Sequence, residues 1–303
     1  MTAAPVAAAA VIALDWGSTH LRAYAFDATG AVLADRHNAD GALTLTSPDA
    51  FDAALHRIAG DWLQASPAAR LIACGMVGAR GGWLEAGYVP CGASVDELAA
   101  GVVQVTTSER RALAIIPGIR SDEPDVMRGE ETQLVGTALA DGVIVLPGTH
   151  SKWVQLTGGR VQSFATFLTG EMNALLREHS SIGKAANAAP DIAASAALDL
   201  GINYARAGAA SWLHDLFVLR ASVVSGQKSA SDISTVLAGW LLGCEFASAT
   251  TMYPELQDVT LIASPTLQPW YERVALSFGI KCHALDAAAV TANGLWRIAS
   301  RMG

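Results

Sequence analysis

The sequence predicts an α/β fold in two domains, and three features carry that expectation. Strand-like apolar runs alternate with segments of helical apolar period along much of the chain. A hairpin with a polar Gly-Ser/Thr tip occurs twice, near residue 15 in LDWGST and near residue 148 in LPGTHSKW, as a rough duplication. The 303 residues, 51% hydrophobic and 16% charged, are enough for two buried cores.

Taken in order, Met1 to Ala8 reads as a frayed tail, because the apolar start has no basic n-region of a signal peptide. Residues 11 to 36 read as a meander: strands VIALD and LRAYAFD around the Gly-Ser-Thr turn, then ATG turning into AVLADR. Ser47-Pro48 opens a helix whose apolar positions Phe51, Leu55, Ile58, Ala59 and Trp62 recur at helical spacing to Leu63. The strand RLIACG follows. Residues 75 to 93 hold many glycines and neither period, which predicts a long loop of functional character. Then come a helix near Val95 to Val102, the strand ALAIIPG, the loop IRSDEPDVM, a helix from Glu130 to Ala140, the strand VIVLPG and a hairpin through VQLTGGRVQSFAT. From Thr169 the pattern is mostly helical, including ISTVLAGWLLGCEFASAT, with a last strand VTLIAS, the helix TLQPWYERVALSFG and a terminal helix near Ala287 to Ser300.

Composition narrows the function. A formal charge of −8 disfavours nucleic acid and anionic membranes, which want a basic face, and points to a small molecule or a protein. Cys74, Cys91, Cys244 and Cys282 lie far apart without zinc-like spacing, a pattern of reduced thiols that predicts a cytoplasmic setting. No uncharged apolar stretch approaches the ~20 residues of a membrane span. The fingerprints G-x-x-x-x-G-K-[ST] and G-x-G-x-x-G are both missing, and GARGG at 78 to 82 has the wrong spacing.

The two tips admit two accounts. In one, Gly17, Ser18 and Thr19, and again Gly148, Thr149, His150 and Ser151, offer backbone N–H groups and hydroxyls to an anion, with Asp15 holding a divalent metal through water. In the other, Asp15 caps a turn and Gly17 merely completes a hairpin.

Five stretches in order, DWGSTHLRAY, GMVGARGGWLEAGYVPC, PDVMRGEETQLVG, LPGTHSKWV and FLTGEMNALLREHS, resemble the 2-dehydro-3-deoxygalactonokinase family, within the actin-like ATPase superfamily. The resemblance runs from about Ile12 to at least Ser180, and more weakly through LAGWLLGCE and VTLIASPTL. It implies two ribonuclease-H-like lobes with mixed sheets flanked by helices, and an interdomain cleft for ATP and Mg²⁺. It places the first phosphate motif and the substrate loop in 1–138, the second phosphate and adenosine motifs in 139–285, and a terminal helix, 286–303, back on the first lobe. The implied reaction is phosphorylation of the 6-hydroxyl of 2-dehydro-3-deoxy-D-galactonate in galactonate breakdown. The alternatives are a kinase of another acid sugar and a non-catalytic regulatory ATPase domain; a homo-oligomer is compatible with each.

The resemblance also distributes roles. LDWGST corresponds to the first phosphate motif and LPGTHSKW to the second, with VTLIAS at the adenosine motif, where Ala263 stands in place of the family's glycine. Related kinases carry a carboxylate base at the start of the helix before the second phosphate motif, the place of Glu130 and Glu131. Neighbouring helical residues differ by about 100° in direction, so one of the two faces the substrate. Glu131, preceding Thr132, is assigned the base, and Glu130 a substrate or metal contact; alternatively both simply favour a helix N-terminus. Arg80, Arg128 and Lys152 are candidates for the substrate carboxylate, with Trp83 and Tyr88 as an apolar wall, unless they are surface charges and core aromatics. His20 and His150 are candidate phosphate contacts.

Overall fold

The structure is a computed structural model describing residues 9–185, 188–208 and 211–302. The expected tail at Met1 to Ala8 lies outside the described residues. The chain divides into two compact units, the first comprising Met1–Asp141, Gln155–Phe164 and Asp286–Gly303, the second Gly142–Val154 and Ala165–Leu285.

The chain begins with β1 (Val11–Trp16), β2 (Leu21–Phe26), β3 (Val32–Asn38), α1 (Pro48–Ala65) and β4 (Arg70–Gly75). It continues with β5 (Tyr88–Pro90), α2 (Val95–Ala100), β6 (Val103–Thr106), β7 (Ala112–Ile115), β8 (Gly118–Arg120), β9 (Val126–Met127) and α3 (Glu130–Thr137). Next are β10 (Gly142–Leu146), β11 (Ser151–Thr157) and β12 (Arg160–Phe167), then α4 (Thr169–Glu178), α5 (Ser181–Ala185), α6 (Ser195–Arg206), α7 (Trp212–Val224) and α8 (Ala230–Met252). Last come β13 (Asp258–Ala263), α9 (Gln268–Ser277), β14 (Lys281–Asp286) and α10 (Ala287–Ala299), the last belonging to the first unit.

The first unit carries a six-stranded sheet of order β3-β2-β1-β4-β7-β6, with β1 antiparallel to β2 and parallel to β4. Alternate residues of β1 supply two cores, which explains the apolar run Val11–Leu14 ahead of Asp15. Ile12, Leu14 and Trp16 pack with Phe51, Leu55, Ile58 and Trp62 of α1, whereas Val11 and Ala13 pack with Leu295 and Ile298 of α10. Ser47 caps α1 by accepting the Ala50 N–H at 3.2 Å, with Pro48 in the first turn as the sequence predicts.

The other sheet, of order β12-β11-β10-β13-β14, repeats the plan of a meander followed by a strand parallel to its first member, here β13 beside β10. The duplication inferred from the tips is thus a duplication of topology. The core of the second unit joins Val145, Trp153 and Leu261 to Leu242 and Phe246 of α8 and Val274 of α9. By length and composition α8 could cross a membrane, yet 67% of its apolar window is buried within the protein.

Five strands escape the sequence patterns. Tyr88–Pro90 pairs in parallel with β8 inside the expected glycine-rich loop, β8 and β9 pair with each other where the loop IRSDEPDVM is expected, and β6 and β14 are edge strands whose outward positions interrupt any apolar run. A three-residue strand cannot display a period, and an edge strand need not.

Candidate active site

In the first unit the site is assembled at the C-terminal end of β1. Asp15 lies opposite Arg22 on β2 and beside Cys74 on β4, whose thiol reaches its Oδ1 at 3.8 Å. Asp15 keeps some solvent contact, but desolvation of its carboxyl raises its pKa above the usual range; the Arg22 charge and the Cys74 hydrogen bond oppose this, and Glu130 adds to it. The turn that follows is closed by the Gly17 N–H donating to the His20 carbonyl at 2.9 Å. Ser18 is half-buried, Thr19 and His20 are exposed, and the Thr19 hydroxyl meets His20 Nδ1 at 2.9 Å. The Ala42 and Leu43 N–H groups clamp this tip from behind by donating to the Gly17 and Ser18 carbonyls. A Cβ on the adjacent Gly41 would stand 2.2 Å from Thr19, so only glycine admits the approach.

The acidic pair opens α3. Gly129, with φ 104°, turns the chain so that its own N–H donates to Glu131 Oε2 at 2.6 Å, while the Thr132 hydroxyl donates to Oε1 at 3.1 Å. Glu131 is 1% exposed, borders a cavity of about 20 Å³ with apolar neighbours such as Leu98, Ile119 and Leu134, and has its pKa pushed up to about 8, by desolvation first and the Glu130 charge second. Glu130 is only half-buried, accepts the Arg128 N–H on Oε2 at 2.9 Å, and feels Asp15 electrostatically. Burial thus separates the pair in the sense opposite to the expectation: the residue assigned as base faces the interior, and its neighbour keeps solvent access.

Arg128 lies across the Tyr88 ring, its Cζ 4.5 Å from the centroid, and donates Nη2 to the Ala86 carbonyl at 2.5 Å. Its Nε and Nη1 are enclosed without a hydrogen-bond partner. Such donors demand an acceptor. Arg80 is exposed in the glycine-rich loop. Trp83, expected on the substrate wall, is 7% exposed, stacks in the core on Phe51 at 6.0 Å and meets Trp16 edge-on at 6.1 Å, bracing the strand that carries Asp15.

The second unit presents the other tip at Gly148, Thr149 and His150. It is clamped in the same manner: the Glu171 N–H donates to the Thr149 carbonyl at 2.9 Å, and a Cβ on Gly170 would lie 2.3 Å from the Gly148 carbonyl oxygen. His150 Nε2 meets Glu171 Oε2 at 2.5 Å. Two expected contacts do not reach the surface here. Ser151 is fully buried and donates its hydroxyl inward to Glu245 at 2.7 Å, and Lys152, on the opposite face of β11, is 4% exposed.

Gly148 also borders a pocket of about 390 Å³ in this unit, walled by Leu241, Leu242, Leu267, Trp270 and Tyr271. Two polar atoms at its lining residues are enclosed without partners, Asn173 Oδ1 and Arg177 Nε, on successive turns of α4. Ala263, expected at the nucleotide, packs instead in the core at 5% exposure; the loop after its strand reaches the pocket through Thr266 and Leu267. Sequence reasoning missed Asn173, Arg177 and Glu245. Asn173 and Arg177 lie inside the stretch FLTGEMNALLREHS, and Glu245 is a carboxylate in the mainly apolar middle of a helix.

Among the described residues no three His, Cys, Asp or Glu side chains gather as a metal cage. Asp15 is a donor suited to Mg²⁺, which binds few carboxylates and keeps water and phosphate oxygens.

The profile of the 2-keto-3-deoxy-galactonokinase family matches residues 15–298. A protein named as a probable 2-dehydro-3-deoxygalactonokinase of Rhizobium meliloti (strain 1021) is 36% identical over 93% of this chain and 94% of its own length. The 2-dehydro-3-deoxygalactonokinase of Escherichia coli (strain K12) is 33% identical over 95% and 97%. The crystal structure of a presumed 2-dehydro-3-deoxygalactonokinase from Sinorhizobium meliloti superposes with a TM-score of 0.85 at 34% identity, covering 95% of each chain. The fold is that of the actin-like ATPases and sugar kinases, and the chain belongs to the 2-keto-3-deoxy-galactonokinase family.

Proposed function

We propose that the chain transfers the terminal phosphoryl group of ATP to the 6-hydroxyl of 2-dehydro-3-deoxy-D-galactonate, giving the 6-phosphate and ADP in galactonate breakdown. The names of the two relatives, each over 90% of this chain, support the substrate. The observation that carries the chemistry is the Arg128 guanidinium, with two enclosed and unpartnered nitrogens beside the Glu130–Glu131 pair. A sugar-acid carboxylate would satisfy them as a charge-assisted acceptor, and the Tyr88 ring fixes the guanidinium plane.

Phosphoryl transfer asks the protein for position and for charge neutralisation more than for covalent work. Glu130, partly exposed, accepts the proton of the attacking hydroxyl; Glu131 holds the Gly129 turn in shape from beneath. Asp15 would hold Mg²⁺ brought with the nucleotide, and that cation would supply charge neutralisation at the phosphates. In the first unit the backbone N–H groups of Ser18 and Thr19, and in the second unit the tip at Gly148–His150, are each suited to phosphate oxygens. The apolar pocket bordered by Gly148 takes the nucleoside, with Asn173 and Arg177 as its polar anchors.

A coupled ADP-release assay across several 2-keto-3-deoxy sugar acids and one analogue without the carboxylate tests this. Turnover with the galactonate derivative and none with the carboxylate-free analogue is expected. Equal turnover of both would remove Arg128 from substrate recognition, and release with no sugar acid would overturn the activity.

A further inference from the structure

A buried polar cluster in the second unit surrounds Glu245, in the C-terminal half of α8 and 2% exposed. Its Oε1 accepts hydrogen bonds from Ser151 Oγ at 2.7 Å and Trp153 Nε1 at 2.8 Å. Its Oε2 accepts from the Tyr271 hydroxyl at 3.0 Å and from the Thr169 hydroxyl. Tyr271 also reaches Ser151 Oγ at 3.2 Å, closing the network. Burial pushes the carboxyl up in pKa, while the four donors pull it down.

The donors are not scattered through the core. Ser151 directly follows the second phosphate tip, Thr169 opens α4 beside the glycine that clamps that tip, and Thr169 and Tyr271 both line the 390 Å³ pocket. Burying a carboxylate is unfavourable unless its hydrogen bonds are complete, and cohesion alone would be served as well by an apolar residue. Here one carboxylate ties the tip to two walls of the pocket.

We propose that Glu245 is a positioning residue for the nucleotide, holding the second phosphate tip and the walls at Thr169 and Tyr271 in one fixed arrangement through its four hydrogen bonds. The inference rests on the kinase function proposed above. It makes the effect selective, since the sugar-acid contacts named in the first unit involve none of these donors.

The test compares Glu245→Leu, Glu245→Gln, Thr169→Val and Tyr271→Phe, with KM measured separately for ATP and sugar acid, and with binding of a non-hydrolysable ATP analogue measured by calorimetry. Glu245→Leu leaves four donors unmatched and should raise KM for ATP about ten-fold or more with KM for sugar acid unmoved. Glutamine can accept from Ser151 and Trp153 and donate to the other two hydroxyls, so it should restore KM for ATP to within about three-fold. Each hydroxyl deletion should raise KM for ATP about three- to ten-fold, and neither should add fully to Glu245→Leu. A merely structural carboxylate would lower the folded fraction and leave both KM values alone, which would overturn the proposal. If Glu245→Leu fails to fold, the two hydroxyl deletions decide, and wild-type KM for ATP in both overturns it. If wild-type protein shows no turnover, the kinase function falls, and the calorimetric affinities of the same variants still decide on Glu245.

Discussion

Replacing Glu131 by glutamine isolates the energetic consequence of burying that carboxyl. Its pKa, ordinarily 4.5, is pushed up to about 8 in the folded chain. Below pH 4.5 the acid is protonated whether the chain is folded or not, and no penalty arises. Between 4.5 and about 8 the unfolded chain releases the proton and the folded chain retains it, so unfolding becomes easier by up to 1.36 kcal/mol per pH unit. Across that window the loss amounts to about 5 kcal/mol as an upper bound, reduced by whatever water penetrates the 20 Å³ cavity beside it. Glutamine mimics the protonated acid, accepting from the Gly129 N–H and donating to the Thr132 hydroxyl, and carries no titrating proton. Urea unfolding of both proteins at pH 5, 6, 7 and 8 reads the difference, in which other titrating groups such as Asp15 and Glu245 cancel. The variant should gain on the wild type steadily with pH and level off above about pH 8. Parallel stability curves would refute the burial argument, and with it the placement of Glu131 beneath the site.

Three further outcomes follow from the site. Glu130→Gln should lower kcat by about 10²–10⁴-fold with little change in either KM, the signature of a lost base, whereas Glu131→Gln should lower it far less; the reverse order in steady-state kinetics returns the role to Glu131. Asp15→Asn, nearly isosteric, should keep the circular dichroism spectrum and thermal transition of the wild type yet lose most Mg²⁺-dependent turnover, and a Mg²⁺ titration with wild-type kcat would strike Asp15 from the site. Ala263→Gly should leave KM for ATP unchanged and lower stability by roughly 0.5–1 kcal/mol, since the methyl packs in the core and glycine gives the unfolded chain more freedom to lose; a lowered KM would show that this strand end touches the base.

How far the sequence carried this picture depended on distance along the chain. Asp15 before Gly-Ser-Thr, the Ser47-Pro48 start of α1, and the paired tips are local patterns, and the structure has the corresponding elements. The inward turn of Glu131 is different in kind. Helical phase says that two neighbouring glutamates point apart, but only the packing of α3 against its unit says which is inside. Trp83 was ambiguous for the same reason, since an aromatic in a glycine-rich loop can equally line a pocket or fill a core. The Glu245 network spans residues 151 to 271, so no window of sequence contains it.

The position of the acidic pair is itself set from the far end of the chain. At eight residues α3 is too short to hold its own geometry, because helices below about 12–15 residues are marginal in isolation. What fixes it is α10, and the fit is backbone on backbone. A Cβ on Gly136 would lie 1.7 Å from the Val290 carbonyl oxygen, and one on Gly294 would lie 1.8 Å from that of Thr132. Asn293 Nδ2 then donates to the Gly136 carbonyl at 2.6 Å, and Gln133 Nε2 to the Thr291 hydroxyl at 3.1 Å, fixing the register of the crossing. Two glycines 158 positions apart in sequence therefore bear on where Glu130 and Glu131 stand, although neither touches a carboxylate. Thr132 bonds Glu131 through its side chain and meets Gly294 through its carbonyl. A shift of the crossing thus has a direct route to Glu131 through Thr132.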